Sequence, residues 1–244
     1  MVSLRHTVAV GWHRVPQVTG ERVQTAWWGE LLWVAAAAIV GFATTAVLAG
    51  WLEMSRSWLV LIYAAVTLPL FVGYVRWTHL DLGEFVRHHW RLGVVGAIAA
   101  GALLIAAVLN EESSPRPEGF DLAFDLIWLG VVYGLIDALL LNVLPVVATW
   151  RAFSRLGWTE RWRGRIVTGA LALAASLAVT AAYHLGYPEF QGTDVREPLI
   201  GNSIISVAYV LTNNPITAVL SHIAMHVAAV LQGAETTTQL PPHY

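Results

Sequence analysis

The sequence predicts an all-α fold: a polytopic membrane helix bundle with about seven transmembrane helices. Three observations carry that expectation. Apolar residues make up 57% of the chain and charged residues only 12%, with a mean hydropathy of +0.60, whereas soluble domains carry about 25% charged residues. Apolar runs recur at close to the roughly 20 residues needed to cross a hydrocarbon core of about 30 Å. The arginines gather in alternate gaps between those runs, as the positive-inside rule requires.

Residues 1–29 read as a cytoplasmic N-terminal arm carrying Arg5, Arg14 and Arg22, without the apolar run and small-residue cleavage site of a signal peptide. A single transmembrane domain, 30–232, follows, with spans expected at 30–51, 57–75, 92–109, 121–150, 166–186, 199–213 and 215–232. The fourth is long enough to begin outside the bilayer, since Asp121 and Asp125 lie in its first turns. The sixth is short and holds Gly201, Asn202, Ser203 and Ser206, the composition of a helix packed inside a bundle. Residues 233–244 read as an extended tail, because Pro241-Pro242 opposes a helix.

Segment 76–91 holds Arg76, Arg87 and Arg91, and segment 151–165 holds Arg151, Arg155, Arg161, Arg163 and Arg165. Loops 110–120 and 187–198 are acidic and poor in arginine. The N-terminus is therefore expected in the cytoplasm and the C-terminal tail outside. The basic residues are all arginine, and alanine and valine abound, which points to a bacterial inner (plasma) membrane.

Composition also excludes functions. Without cysteine there is no disulfide, thiolate ligand or thiol nucleophile. Without lysine there is no Schiff base for a retinal. A net charge of −2 leaves no basic footprint for nucleic acid, and the apolar spans make the lipid bilayer the expected partner.

Ionisable groups at membrane depth are costly and face a protein interior or a wet cavity. Asp137 sits among leucines near the middle of the fourth span, and His184 closes the fifth. His222 and His226, four residues apart, share one face of the last helix. If the bundle brings them together, two chemistries open. His184, His222 and His226 could ligate a divalent metal such as zinc, although the sequence leaves the cofactor itself unknown. Alternatively Asp137 could act as general base on water, with histidines stabilising the oxyanion.

The order of these motifs resembles the CPBP/ABI family, the intramembrane endopeptidases that process CAAX proteins and bacteriocins. That family carries Glu-Glu-x-x-x-Arg, Phe-x-x-x-His and His-x-x-x-Asn/Asp on successive membrane helices. Here the corresponding stretches are Gly134–Asn142, Thr180–His184 and His222–His226, within about residues 126–232. Asp137 stands for the first glutamate, Ala138 for the second, Asn142 for the arginine, Thr180 for the phenylalanine and His226 for the Asn/Asp. The resemblance implies a membrane-embedded hydrolase acting on a membrane-protein or peptide substrate, in which Asp137 activates water, His184 and His222 support the transition state and His226 completes the site. A non-catalytic scaffold or partner subunit of the same fold, and a small-solute or metal transporter, are the alternatives. Glu111–Arg116 also matches Glu-Glu-x-x-x-Arg letter for letter, but Pro115 breaks it and it reads as a solvated acidic loop.

Overall fold

A computed structural model describes residues 26–233 and 237–241, and among these it has eight helices and no strand. In chain order they are α1 (Trp27–Trp51), α2 (Arg56–Thr78), α3 (Leu82–Arg87), α4 (Trp90–Val108), α5 (Gly119–Arg155), α6 (Trp162–Leu185), α7 (Arg196–Thr212) and α8 (Pro215–Gln232). All but α3 and α7 are long and apolar enough to cross a membrane. The chain is thus an all-α polytopic bundle with six such helices, where the sequence led us to expect about seven. The difference is the segment 199–213. It falls in helix α7, whose 17 residues, Arg196–Thr212, rise only about 26 Å.

Contacts at the two ends of the bundle show that α7 nonetheless runs from one to the other. At one end, Glu30 of α1 meets Arg151 and Arg155 of α5, and Asn214 bonds the carbonyls of Val86 and His88. At the opposite end, Gly50 lies against Gly186 and Pro188, Ser114 bonds Gln232, and Arg56 bonds Pro241. Helices α1, α2, α4, α5, α6, α7 and α8 therefore alternate in direction. Arg76, Arg87, Arg91, Arg151, Arg155, Arg161, Arg163 and Arg165 all fall at the first end.

Most of the expected N-terminal arm lies outside the described residues; α1 begins at Trp27 and absorbs the last three positions of that arm. Of the tail, expected to be extended, residues 237–241 are described. Residues 237–241 turn back through Thr238 and Gln239 onto the bundle. Thr238 N–H and Gln239 Nε2 donate to the Glu111 carboxylate, and Leu240 is buried. Glu111 is accordingly no freely solvated loop residue.

Local chemistry fixes the helix ends that matter for the site. Asn213 adopts the left-handed conformation that ends α7. Asn214 then caps α8 by accepting from Ile216 N–H at 2.8 Å, and Pro215 sits at the first helical position, where no N–H is needed. Helix α5 is continuous but widens into π-type turns at Leu126–Val132 and Ala138–Val143, with Asp137 between them. Pro145 has no N–H for the Leu141 carbonyl. That carbonyl is satisfied from α6 instead, by Ser176 Oγ at 2.5 Å, as a freed backbone group inside a membrane bundle must be.

Two glycines let α5 and α8 touch. A Cβ on Gly134 would stand 2.9 Å from Ile223 Cα, and one on Gly130 would stand 2.8 Å from Val227 Cγ2. Gly130-x-x-x-Gly134 is the small-residue spacing that lets membrane helices pack backbone to backbone. This close approach carries the histidines of α8 to the carboxylate of α5.

A separate polar staple holds the arginine-rich end. Glu30 is fully buried, and its Oε1 accepts from Arg151 Nε at 3.1 Å and Arg155 Nη2 at 2.9 Å. Its Oε2 accepts from the Tyr74 hydroxyl at 3.0 Å, and Arg151 Nη2 donates to the Thr78 carbonyl. One carboxylate thereby joins α1, α2 and α5 where neither water nor lipid could satisfy it.

Candidate functional site

Asp137 and His226 are 3% and 1% exposed and face each other across the α5–α8 contact, with Asp137 Oδ2 3.2 Å from His226 Nε2. The separation suits an ion pair. The alignment, however, does not make a hydrogen bond, and His226 Nε2 and Nδ1 and Asp137 Oδ1 all lack a hydrogen-bond partner. One turn along, the His222 ring stacks below His226 with centroids 5.8 Å apart and planes 21° apart. Asp137, His222 and His226 each offer a ligand atom, and the three atoms lie within 4.8 Å of one another.

Asn142 orients His222. Its Oδ1 lies 2.7 Å from His222 Nε2, while its Nδ2 donates to Ser206 Oγ at 2.8 Å. Ser176 has given its proton to the Leu141 carbonyl, so the 2.8 Å Ser206–Ser176 bond runs from Ser206 to Ser176. Asn202 Nδ2 donates to Ser176 as well, at 3.0 Å. This chain fixes which way the Asn142 amide faces. His222 must donate from Nε2, which leaves its lone pair on the unpartnered Nδ1. The proline of α5 and the imidazole of α8 are thus linked through serines and asparagines of α5, α6 and α7.

His184 lies outside the Asp137–His222–His226 set of ligand atoms. Its Nδ1 is bonded to the Thr180 carbonyl at 2.8 Å, one turn back on α6. It does line the same cavity as Asp137, His222 and His226, a space of about 530 Å³. The metal set expected from sequence was His184, His222 and His226; the residues whose ligand atoms converge are Asp137, His222 and His226.

The cavity reaches the end of the bundle opposite the arginine-rich one. Exposed Glu112 and Glu197 line it, as do half-buried Glu111 and the turned-back Thr238–Pro241. Gln232, the end of α8, is six positions beyond His226, which places the imidazole about 9 Å inside that end. Leu104, Leu141, Ile204 and Ile205 make the walls apolar.

Tyrosines surround the carboxylate, and the sequence analysis did not single them out. Tyr133 packs on His226 with ring centroids 4.7 Å apart. Its hydroxyl is 2.8 Å from that of Tyr183, which is 2.9 Å from that of Tyr187. Three hydroxyls carry three protons and make two mutual bonds, so one O–H is left for a partner outside the trio. Tyr133 lies one helical turn before Asp137, and Tyr183 precedes His184, so their nearness in sequence was the available signal.

What the arrangement can do follows from these facts. A buried carboxylate beside an imidazole can hold and deprotonate a water, and a hydroxyl chain can donate to charge that develops nearby. Two imidazoles and a carboxylate can equally ligate a divalent cation. Comparison with known proteins gives no family model, curated protein or solved structure that matches this chain.

Proposed function

We propose that this chain is a membrane-embedded hydrolase, akin to the CAAX- and bacteriocin-processing endopeptidases, that cleaves a peptide bond within or beside the bilayer. One observation carries the reading: Asp137, His184, His222 and His226, from three different helices, line a single cavity that continues to exposed residues. A scaffold has no need of three convergent titratable groups, Asp137, His222 and His226, with unsatisfied atoms, because each buried polar atom left unpaired costs about 1–3 kcal/mol.

In this scheme Asp137 takes a proton from a water held beside His226, and the water oxygen attacks the carbonyl carbon. The negative charge on the carbonyl oxygen is met by the hydroxyl chain of Tyr133, Tyr183 and Tyr187. The proton is then returned to the leaving amine. The arginine-rich end of the bundle faces the cytoplasm by the positive-inside rule. The cavity accordingly opens on the outer face of a bacterial plasma membrane.

The test uses proteoliposomes carrying the whole chain and a bacterial membrane-protein extract, with new peptide termini read by mass spectrometry. Asp137→Asn keeps the size of the side chain and should lower the appearance of new termini by about 10²–10⁴-fold, the usual contribution of a general base. Termini that form equally with the asparagine variant would defeat the assignment.

A further inference from the structure

We propose that Asp137, His222 and His226 form a binding site for one divalent cation of the zinc class. The inference shares the cavity with the hydrolase reading but does not depend on hydrolysis. Four observations support it, beginning with the donor set. Imidazole ligands select zinc and its late first-row neighbours over magnesium or calcium, and two imidazoles with one carboxylate form a three-ligand site that leaves a position open.

The second observation is metric. Zinc bonds of about 2.0–2.1 Å in a tetrahedron set neighbouring ligand atoms about 3.3 Å apart. Asp137 Oδ2 and His226 Nε2 are already 3.2 Å apart, and no ligand atom of the three is more than 4.8 Å from another. Small side-chain rotations suffice to close the set.

Third, the atoms are buried and unsatisfied. Asp137 Oδ1, His222 Nδ1 and both nitrogens of His226 have no hydrogen-bond partner. The facing pair at 3.2 Å is not aligned to share a proton, and a cation between lone pairs would satisfy both. Fourth, the surroundings are those of a metal site. Asn142 holds His222 Nε2 and so leaves the lone pair on Nδ1, the kind of outer support that metal-bound histidines use. Glu111, Glu112 and Glu197 line the same cavity nearer its exposed end, where they would favour entry of a cation.

The experiment reads binding alone. The purified full chain in detergent is stripped with chelator and titrated with Co²⁺, then with Zn²⁺, following the visible bands of Co²⁺ and the metal content by mass spectrometry. His88 and His89, whose rings are 3.9 Å apart elsewhere on the protein, are replaced by alanine in every sample, so that they cannot bind the probe. We expect one cobalt per chain, with the intense bands of a four- or five-coordinate site, displaced by Zn²⁺ but not by excess Mg²⁺.

Asp137→Asn, His222→Ala and His226→Ala should each weaken binding at least tenfold, whereas His184→Ala should leave stoichiometry unchanged. Each variant counts only if its elution volume and circular dichroism match the parent. Asn142→Leu, which removes no ligand, supplies a second measurement and should weaken binding by about 10–100-fold. No bound cobalt in the parent, or equal binding in the parent and the three ligand variants, would overturn the proposal. Proteoliposomes that lack hydrolytic activity yet bind one zinc would refute the hydrolase and leave the site standing.

Discussion

Replacing Gly134 with alanine should drive α5 and α8 apart at the site itself. The added Cβ would lie 2.9 Å from Ile223 Cα, 3.0 Å from Ile223 N and 3.1 Å from the His222 carbonyl carbon. Carbon atoms in contact settle at about 3.5–4.0 Å, so a local separation of about 0.6–1 Å is needed. The opposing atoms are main chain and have no rotamer with which to yield. Added to the 3.2 Å between Asp137 Oδ2 and His226 Nε2, that shift brings the pair to about 4 Å, beyond hydrogen-bond reach.

Overpacking of this kind costs about 1–3 kcal/mol. The assay is the melting temperature in detergent, followed by tryptophan fluorescence, alongside the Co²⁺ titration. Gly130→Ala is the internal comparison. Its Cβ first meets Val227 Cγ2, at 2.8 Å, and the nearest main-chain atom, Val227 Cα, is 3.3 Å away, so it should perturb both readouts less. A Gly134→Ala protein with parental melting and cobalt binding would refute the reasoning. So would a Gly130→Ala protein that is the worse of the two.

Other perturbations test other parts of the bundle. Arg151→Met should destabilise the protein by about 3–5 kcal/mol, since it removes a partner from a fully buried carboxylate. Arg155→Met, at a side chain already 31% exposed, should lower the melting temperature less; the reverse order would contradict the staple. Ser176→Ala removes the donor to Leu141 and breaks the relay to Asn142, so it should cost about 1–3 kcal/mol by chemical denaturation. The native chain has no cysteine, so Leu240→Cys offers a single reporter for the turned-back tail. Adding Arg56→Ala, which removes a bond to Pro241, should speed maleimide labelling of that cysteine, and an unchanged rate would mean that Arg56 does not hold the tail.

The amino-acid sequence determined that this chain is a helical membrane bundle, because burying apolar side chains and satisfying each backbone group within its own helix is the solution that lipid enforces. Arginine placement sorted the loops into two sets, and the end contacts of the bundle join them in the same sets. Asp137, His222 and His226 were visible because charge among leucines is rare enough to stand out.

What remained hidden were relations between helices. Gly130-x-x-x-Gly134 is legible as a spacing, but nothing in the letters says that it faces Ile223 and Val227, or that this contact brings Asp137 within 3.2 Å of His226. Asn142 looked like a substituted arginine position and proved to orient His222. Glu30, which the sequence analysis did not single out, is the buried partner of Arg151 and Arg155. His184 has the same chemistry as the other histidines, yet Thr180 holds its ring by one nitrogen and it stays outside the converging ligand atoms. Periodicity reports which face of a helix is polar, and only the packing of glycine against backbone decides which faces meet.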